Sequence, residues 1–359
     1  MSRGAEYFFI NMKVILLTEQ QESDYTHFLS KQKNTPLYYS LEYKKLLEIY
    51  LTVSSYYIIL LDTQQQIQGV LPIMVHTPTN QGPSVANSLP YYGSHGSFFL
   101  SHTLSSVEKD TARTLLIEYA ESLLKKINCA AWTIIDHPEM SHKEWFDTKW
   151  KYTFLDTRIG QITALSSPSR LDESMLHKKT RYAIEIAKKS DITISRSQKK
   201  EDLDYIIHTH RENMVAIGGT AKESTFFYAL VSTLPKNMYQ LYIAKHNNVP
   251  VAGLLLLYYQ KTVEYFTPVI TASYRTQQPL SLLIYTAMQD AIDEGYTTWN
   301  WGGTHINQEG VHRFKKRWNT TDTIYHYYTK IYQEDIVQQP LDILKTQYPF
   351  FYVFPYDKK

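Results

Sequence analysis

The sequence has few of the residues that would mark a secreted or membrane-spanning protein. It contains a single cysteine, Cys129, so a disulfide framework is excluded and an inert buried thiol is expected. No apolar run approaches the roughly 18–20 residues that a membrane span needs, and Met1–Ile10 lacks a secretory pattern. The sequence therefore predicts a cytoplasmic protein without a transmembrane segment.

An excess of charge and several common site motifs are also missing. The 37 Lys and Arg residues nearly balance the 35 Asp and Glu residues, so any basic site must be local. No GxxxxGK[ST] or GxGxxG element is present, which argues against nucleotide hydrolysis and dinucleotide redox chemistry. Histidines and carboxylates do not fall at zinc-like spacing, so we expect no metal site.

The chain does contain one structural pattern that occurs twice. In each half, two apolar runs separated by a polar turn predict a β-hairpin, with Gly69 and Gly253 at matching places. A predicted helix follows in each half, and Trp132 and Trp299 then occupy equivalent places in the next apolar strand. Repeats fix architecture, and a repeat of this length predicts two similar domains.

The order of predicted elements gives the fold class and the domain boundaries. Alternating helices and hairpins are typical of a mixed α/β (α+β) protein with mostly antiparallel twisted sheets flanked by helices. The polar, proline-containing segment Ser166–Ser169 is the predicted domain boundary. We predict a disordered lead over 1–12, a first domain over 13–165, a second domain over 166–332 and a C-terminal tail over 333–359.

A run of glycine, aromatic and basic residues follows the last strand of the second repeat. Gly302 and Gly303 allow a sharp backbone turn close to a ligand. Lys315 lies in a short predicted helix with Phe314 and Trp318, and a cation beside a cleft can stabilise an oxyanion. A solvated basic turn with both aromatic residues in the core gives the same pattern, so the local sequence leaves the two interpretations open.

A basic helix and an aromatic loop are further candidates for substrate binding. Lys178 and Arg181 share a face of a helix predicted over 171–189, which can hold substrate phosphates or simply be solvated. The segment 77–96 is predicted to be a loop. Its aromatic, hydroxyl and histidine side chains suit sugar or peptide contacts. The residues concerned are Tyr91, Tyr92 and His95. The histidine is a candidate base, although a lone loop histidine is more commonly just exposed.

The second half resembles the GNAT-type N-acetyltransferases at Tyr265 and at the loop that contains Arg275. Members of that family hold the coenzyme A pyrophosphate at a helix N-terminus, with a loop that reads Arg/Gln-x-x-Gly-x-Gly/Ala. In this chain Gln278 and Leu280 stand where small residues are expected. Their side chains obstruct the approach of backbone N–H groups to a phosphate.

Taken together, residues 35–330 resemble the FemABX-type peptidyltransferases, which pair two GNAT-like domains. The resemblance rests on the Lys179-Thr180-Arg181 helix and on Gly302-Gly303 followed by Phe314-Lys315. Asn319 replaces the glycine that usually closes the motif, and asparagine tolerates left-handed backbone geometry.

The resemblance also implies roles for these residues. By that likeness Lys315 stabilises the tetrahedral oxyanion and Phe314 shapes the acceptor site. Arg181, Tyr265 and the Tyr91–Gly96 loop would line a groove between the two domains.

The activity that the resemblance implies is N-acylation of an amine by an activated ester. The donor would be aminoacyl-tRNA, bound through its 3′ end, with no tightly bound cofactor. The acceptor would be a UDP- or lipid-linked muropeptide or an amino sugar of an envelope precursor. Because the sequence contains no Ser-His-Asp or reactive-cysteine motif, we expect direct transfer without a covalent intermediate.

Two alternatives stay open from the sequence. One is an acyl-CoA-dependent N-acyltransferase that acts on an amino sugar or small amine. The other is a catalytically silent paralogue that binds a glycan or a protein partner. The oligomeric state is open as well.

Overall fold

A computed structural model describes residues 12–79, 82–90, 95–165 and 173–356. The strands in these stretches are β1 (Lys13–Leu16), β2 (Ser54–Leu61), β3 (Ile67–His76), β4 (Ser84–Asn87), β5 (Phe99–Leu100), β6 (Cys129–Ile135), β7 (Phe154–Ala164), β8 (Ile192–Ser197), β9 (Tyr239–His246), β10 (Val249–Tyr259), β11 (Thr262–Ile270), β12 (Thr298–His305) and β13 (Thr321–Ile331). The helices are α1 (Glu22–Lys31), α2 (Leu41–Leu51), α3 (Ser106–Lys126), α4 (Lys143–Lys149), α5 (Lys178–Lys188), α6 (Lys200–Ala216), α7 (Ser224–Thr233), α8 (Pro279–Asp293), α9 (Glu309–Lys316), α10 (Asp335–Gln338) and α11 (Leu341–Gln347). None of these helices is both long enough and apolar enough to cross a bilayer.

The chain divides into two compact units, and each draws on separate stretches of sequence. The first unit comprises Met1–Lys33, Val53–Asp156 and His326–Lys359. The second comprises Asn34–Thr52 and Thr157–Tyr325. The predicted lead, apart from its last residue, and the predicted boundary segment at 166–169 lie outside the described residues.

The units differ from the predicted contiguous domains in two respects: α2 belongs to the second unit, and the end of β13 with the predicted tail belongs to the first. Its buried residues Tyr43, Leu46 and Leu47 form one face of the helix. Tyr50, on the same helix, packs edge-to-face on Phe226 of α7 with ring centroids 5.2 Å apart. An amphipathic helix shows which face it buries but not which sheet it covers, so the sequence pattern could not place this segment.

The first unit contains a mostly antiparallel sheet in the order β1-β2-β3-β4-β6-β13, with β5 added to β3. The β4–β6 pair is parallel. The prediction of a loop over 77–96 is therefore wrong at β4, whose short apolar stretch Val85–Ala86 pairs with β6. The core lies between this sheet and α3, and it contains Trp132 and Phe146.

The second unit contains a sheet in the order β7-β12-β11-β10-β9-β8. Only the β11–β12 pair is parallel among these described strands. α5 and α8 bury their apolar residues in one core cluster with Trp299, Trp301 and Trp318. The prediction of a mixed α/β fold with mostly antiparallel, helix-flanked sheets is confirmed.

The two matching glycines of the repeat have the same physical role. A Cβ atom on Gly69 would lie 2.5 Å from Leu100 Cδ2. A Cβ atom on Gly253 would lie 2.7 Å from Ile206 Cγ1 of α6. Each hairpin therefore has a glycine where a neighbouring element approaches the sheet too closely for a side chain.

Candidate active site

Two glycines end the straight part of β12, and each is required for a different reason. Gly302 has φ +70°, and its N–H donates to Asn300 Oδ1 over 2.9 Å. Gly303 has an ordinary φ, but a Cβ atom there would lie 1.9 Å from Tyr325 Oη. The turn therefore exposes backbone carbonyl groups at a place where side chains are excluded.

Lys315 places its ammonium group on this turn. Its Nζ donates to Thr304 Oγ1 over 2.8 Å and to the carbonyl oxygens of Gly303 and Gly302 over 3.2 and 3.3 Å. Only 6% of the residue is exposed, and burial lowers the pKa of the ammonium to about 8. The group therefore remains mostly cationic at neutral pH, although little water screens it.

The hydrogen bonds of Lys315 differ in length, and the longer ones are those that an incoming anion would replace. All three ammonium protons have an acceptor, but the two carbonyl bonds are at the long end of the usual range. A negatively charged oxygen would make a stronger, charge-assisted bond than either carbonyl does. The site can therefore exchange a carbonyl partner for an oxyanion, or the lysine can serve only to brace the turn.

Aromatic rings pack around Trp301, the residue that precedes the glycine turn. Tyr265 lies 4.7 Å from Trp301 and Phe314 lies 6.3 Å from it, measured between ring centroids. Trp318 lies 5.7 Å from Trp301. Burial raises the pKa of Tyr265 well above its ordinary value, so its hydroxyl stays protonated. The structure thus brings together five predicted site residues: Lys315, Phe314, Tyr265, Gly302 and Gly303.

A buried polar chain that the sequence pattern did not predict supports the glycine turn. Asn300 Nδ2 donates to Glu264 Oε2 over 2.9 Å, while Asn300 Oδ1 accepts from the Gly302 N–H. Tyr38 Oη donates to the same Glu264 oxygen over 3.0 Å. An asparagine between two buried tryptophans of an apolar strand was the available signal, because a buried amide needs partners.

Basic residues line a groove where the start of α5 meets the end of α9. The groove has a volume of about 440 Å³. We call it the α5–α9 groove, and its lining residues are His177, Lys178, Lys179, His312, Arg313, Lys316 and Arg317. The Arg317 carbonyl joins the two helices, since it accepts from the His177 N–H over 3.1 Å and from Thr180 Oγ1 over 3.2 Å. Of these residues, only Lys178 was a predicted site residue.

The Arg181 side chain binds the backbone just before α5. Its guanidinium donates to the carbonyl oxygens of Ser174 and Leu176, which precede α5. α5 itself begins at Lys178, later than the predicted start at 171, and His177 caps it by accepting from the Lys179 N–H over 3.1 Å.

Arg275 lies in the exposed 3-10 turn before α8, and that turn lacks the features of a phosphate cradle. Gln278 has φ +56°, and its side-chain amide donates to the Arg275 carbonyl over 2.9 Å. Pro279 is the first residue of α8 and has no N–H to offer a phosphate. No described hydrogen bond or ion pair links this turn to Lys315.

His95 belongs to the first unit and is buried, contrary to the expectation of an exposed loop histidine. Its Nδ1 lies 2.9 Å from the Asp136 carbonyl, and its ring packs edge-to-face on His137 at 5.1 Å. Burial lowers its pKa to about 4, so the ring is neutral at physiological pH. Tyr91 and Tyr92 lie outside the described residues.

Three further sequence expectations concern Cys129, metal binding and the backbone at Asn319. Burial raises the pKa of the Cys129 thiol to about 12, so it is not a nucleophile at neutral pH. Among the described residues, no group of three or more His, Cys, Asp or Glu side chains is arranged to hold a metal ion. Asn319 has φ +59°, the left-handed geometry expected where the related motif has glycine.

Comparison with solved structures shows what this fold is similar to. The structure of FemX matches with a TM-score of 0.69 and 15% identity, covering 91% of this chain and 99% of that one. A tandem GNAT protein from the clavulanic acid biosynthesis pathway matches with a TM-score of 0.55 and 7% identity, over 89% and 98% of the two chains. L-PGS from Bacillus licheniformis matches with a TM-score of 0.55 and 12% identity, over 91% and 96%.

Sequence comparison adds a family assignment for part of the chain. A family model for the acetyltransferase (GNAT) domain matches residues 175–316, which carry both the glycine turn and Lys315. No curated protein is similar in sequence. Residues 175–316 therefore form an acetyltransferase (GNAT) domain, the chain has a GNAT-like fold, and these findings support an acyltransferase.

Proposed function

We propose that this protein transfers an aminoacyl group from aminoacyl-tRNA to an amine of a cell-wall or surface-polysaccharide precursor. The observation that carries the proposal is the buried ammonium of Lys315 on a glycine turn within the GNAT domain. The acceptor would be a UDP- or lipid-linked muropeptide or an amino sugar. Because aminoacyl-tRNA and UDP-linked precursors are cytoplasmic molecules, the proposal implies a cytoplasmic protein.

The proposed reaction is direct attack of the acceptor amine on the ester carbonyl. The nitrogen lone pair forms the new C–N bond, and the carbonyl electrons move onto oxygen. When the tetrahedral species collapses, the bond to the tRNA 3′ oxygen breaks, and that oxygen takes up the proton that the amine loses. Lys315 would stabilise the oxyanion, a role for which a poorly hydrated cation is well suited. Positioning of the two substrates would supply the rest of the acceleration.

The aromatic rings around Trp301 and the glycine turn have supporting roles in this scheme. Phe314 and Tyr265 would exclude water from the reacting carbonyl, which strengthens its attraction to the ammonium group. Gly302 would let the acceptor approach the backbone closely, whereas the corresponding space at Gly303 is filled by the Tyr325 hydroxyl. Arg181 and Arg275 are proposed to bind substrate at the borders of the site.

A CoA-dependent N-acyltransferase is the second candidate function. The family match favours it, because the GNAT fold typically uses acyl-CoA as its co-substrate. The turn before α8 argues against it. Pro279 removes one of the N–H groups at the N-terminus of the helix, and the Gln278 side chain fills the turn. A charged-tRNA donor does not need this cradle, so we place it first.

The donor class can be tested directly with the full chain. The protein is incubated separately with charged tRNA and with acetyl-CoA, each with muropeptide and amino-sugar nucleotides, and the products are identified by mass spectrometry. An aminoacyl adduct that forms only with charged tRNA is expected. An acetyl adduct only with acetyl-CoA would replace the proposal by the second candidate. Binding of the acceptors without any adduct would indicate a catalytically silent paralogue.

A further inference from the structure

We propose that the α5–α9 groove binds the phosphodiester backbone of the donor's single-stranded RNA end, with Tyr182 as a stacking surface for a base beside it. The inference rests on the proposed function in one respect, namely that the donor is an RNA. It adds a binding site that the comparisons do not assign.

The groove has an excess of positive charge that the protein itself does not neutralise. Asp322 accepts from His312 and lies 3.3 Å from Lys316, and Glu309 lies 3.9 Å from Arg313. The remaining cations of the groove are Lys178, Lys179 and Arg317, and no described carboxylate forms an ion pair with any of them. Three such cations around one concave surface are suited to a chain of phosphates rather than to a single carboxylate.

The position of the groove connects it to the proposed chemistry. Lys315 and Lys316 are consecutive residues of α9. The first turns inward to the glycine turn, while the second lines the groove. The Arg317 carbonyl fixes α9 to the start of α5 through two hydrogen bonds. An RNA strand held in the groove would therefore lie against the same helix that presents the proposed oxyanion-stabilising group.

Tyr182 supplies the feature that distinguishes RNA from other polyanions. It lies one helical turn after Lys178 on α5, so the two side chains share a face. Its side chain is 70% exposed, which is uncommon for so large a ring. A basic groove bordered by an exposed aromatic ring is the arrangement that binds single-stranded nucleic acid, because phosphates bind the cations and bases stack on the ring.

Binding is measured by fluorescence anisotropy of a labelled single-stranded RNA of roughly 12 nucleotides ending in CCA, a length within known site sizes. The variants are Lys178→Ala/Lys179→Ala and Tyr182→Ala, with Tyr182→Phe as the conservative partner. Lys199→Ala/Lys236→Ala is the matched control. Both lysines are exposed and lie outside the groove, and their substitution removes the same charge as the groove double variant does.

The salt dependence gives the quantitative expectation. Each phosphate contact on a single strand contributes about 0.7 to the slope of log Kd against log salt, so three cations predict a slope of about 2 and the groove double variant about 0.7. Tyr182→Ala should weaken binding about tenfold with an unchanged slope, and Tyr182→Phe should retain affinity. The control should behave as the wild type.

Two results would overturn the inference. One is equal affinity and slope for the groove variant and its matched control. The other is that the groove double variant loses binding to vesicles of phosphatidylglycerol and phosphatidylcholine but keeps its binding to the RNA. That result would assign the groove to a lipid surface. Failure of the proposed function is distinguishable, because RNA binding needs no transfer. Lys315→Met should slow transfer strongly and leave RNA binding intact.

Discussion

The burial of the Lys315 ammonium group leads to a prediction about protein stability that requires no knowledge of the substrate. Burial lowers the pKa of its ammonium from 10.5 to about 8. Between these two pH values the unfolded chain binds more protons than the folded chain, so the folded protein gains stability as pH rises. The cost of burying the cation is fully present below pH 8 and disappears as pH approaches 10.5. Lys315→Met removes the titrating group while keeping a side chain of similar length.

The size of the effect follows from the pKa difference. At 1.36 kcal/mol per pKa unit, a cation buried with this shift costs about 3 kcal/mol at pH 7. At pH 9.5 the remaining cost is about 1.4 kcal/mol. The wild type should therefore gain about 2 kcal/mol relative to Lys315→Met between pH 7 and pH 9.5. The lost hydrogen bonds and the changed packing contribute at every pH, so they cancel from this difference.

The assay is urea unfolding of both proteins at several pH values, from which the free energy of unfolding is obtained. The quantity of interest is the difference between the two proteins as a function of pH, because other titrating groups are common to both. A difference that stays constant between pH 7 and pH 9.5 would refute the assignment of Lys315 as a buried cation with a lowered pKa.

Three further predictions concern the glycine turn. Gly303→Ala should destabilise the protein by about 1–3 kcal/mol, and Tyr325→Phe should recover part of the loss, since the clash is with the hydroxyl oxygen. If urea unfolding shows that Gly303→Ala lowers the free energy of unfolding equally in the wild-type and Tyr325→Phe backgrounds, the contact is contradicted. Gly302→Asn should cost less than Gly302→Ala in a thermal-shift assay, because asparagine tolerates φ +70° better, and the reverse order would contradict the left-handed turn. Asn300→Asp should cost at least about 2 kcal/mol at pH 7, because a second carboxylate then faces Glu264, and the loss should shrink in acid; a pH-independent loss would count against it.

The repeated hairpins show what periodicity can predict. Alternating apolar runs around Gly69 and Gly253 fixed both the strands and their pairing, and the structure adds a reason for each glycine. The position of α2 could not be predicted in this way. Its buried stripe would fit either unit, and the choice depends on long-range contacts such as that between Tyr50 and Phe226.

The candidate site shows the same limit at the level of side chains. The motif around Lys315 was found because glycines, aromatics and a lysine follow one strand in sequence. Its partners Asn300 and Glu264 come from neighbouring strands, and their pairing depends on the parallel register between β11 and β12. The roles of the predicted substrate-binding residues stay predictions.

The basic groove depends on two distant segments. Lys178 and Lys179 begin α5, while Arg317 directly follows α9, and only the folded chain brings them together. In sequence each segment is compatible with a site or with a solvated helix end, and neither pattern predicts that the two segments meet. The exposed ring of Tyr182 is the feature that points to the groove as a binding site. Sequence alone does not show this feature, because exposure is a property of the fold and not of the residue type.

The most direct test of the account is single-turnover transfer by Lys315→Met at saturating donor and acceptor. Loss of one preformed oxyanion partner is expected to slow transfer about 100- to 1000-fold in a protein that remains folded. Transfer within about twofold of the wild type would contradict the claim that the Lys315 ammonium stabilises the transition state, and would leave it as a brace of the Gly302 turn.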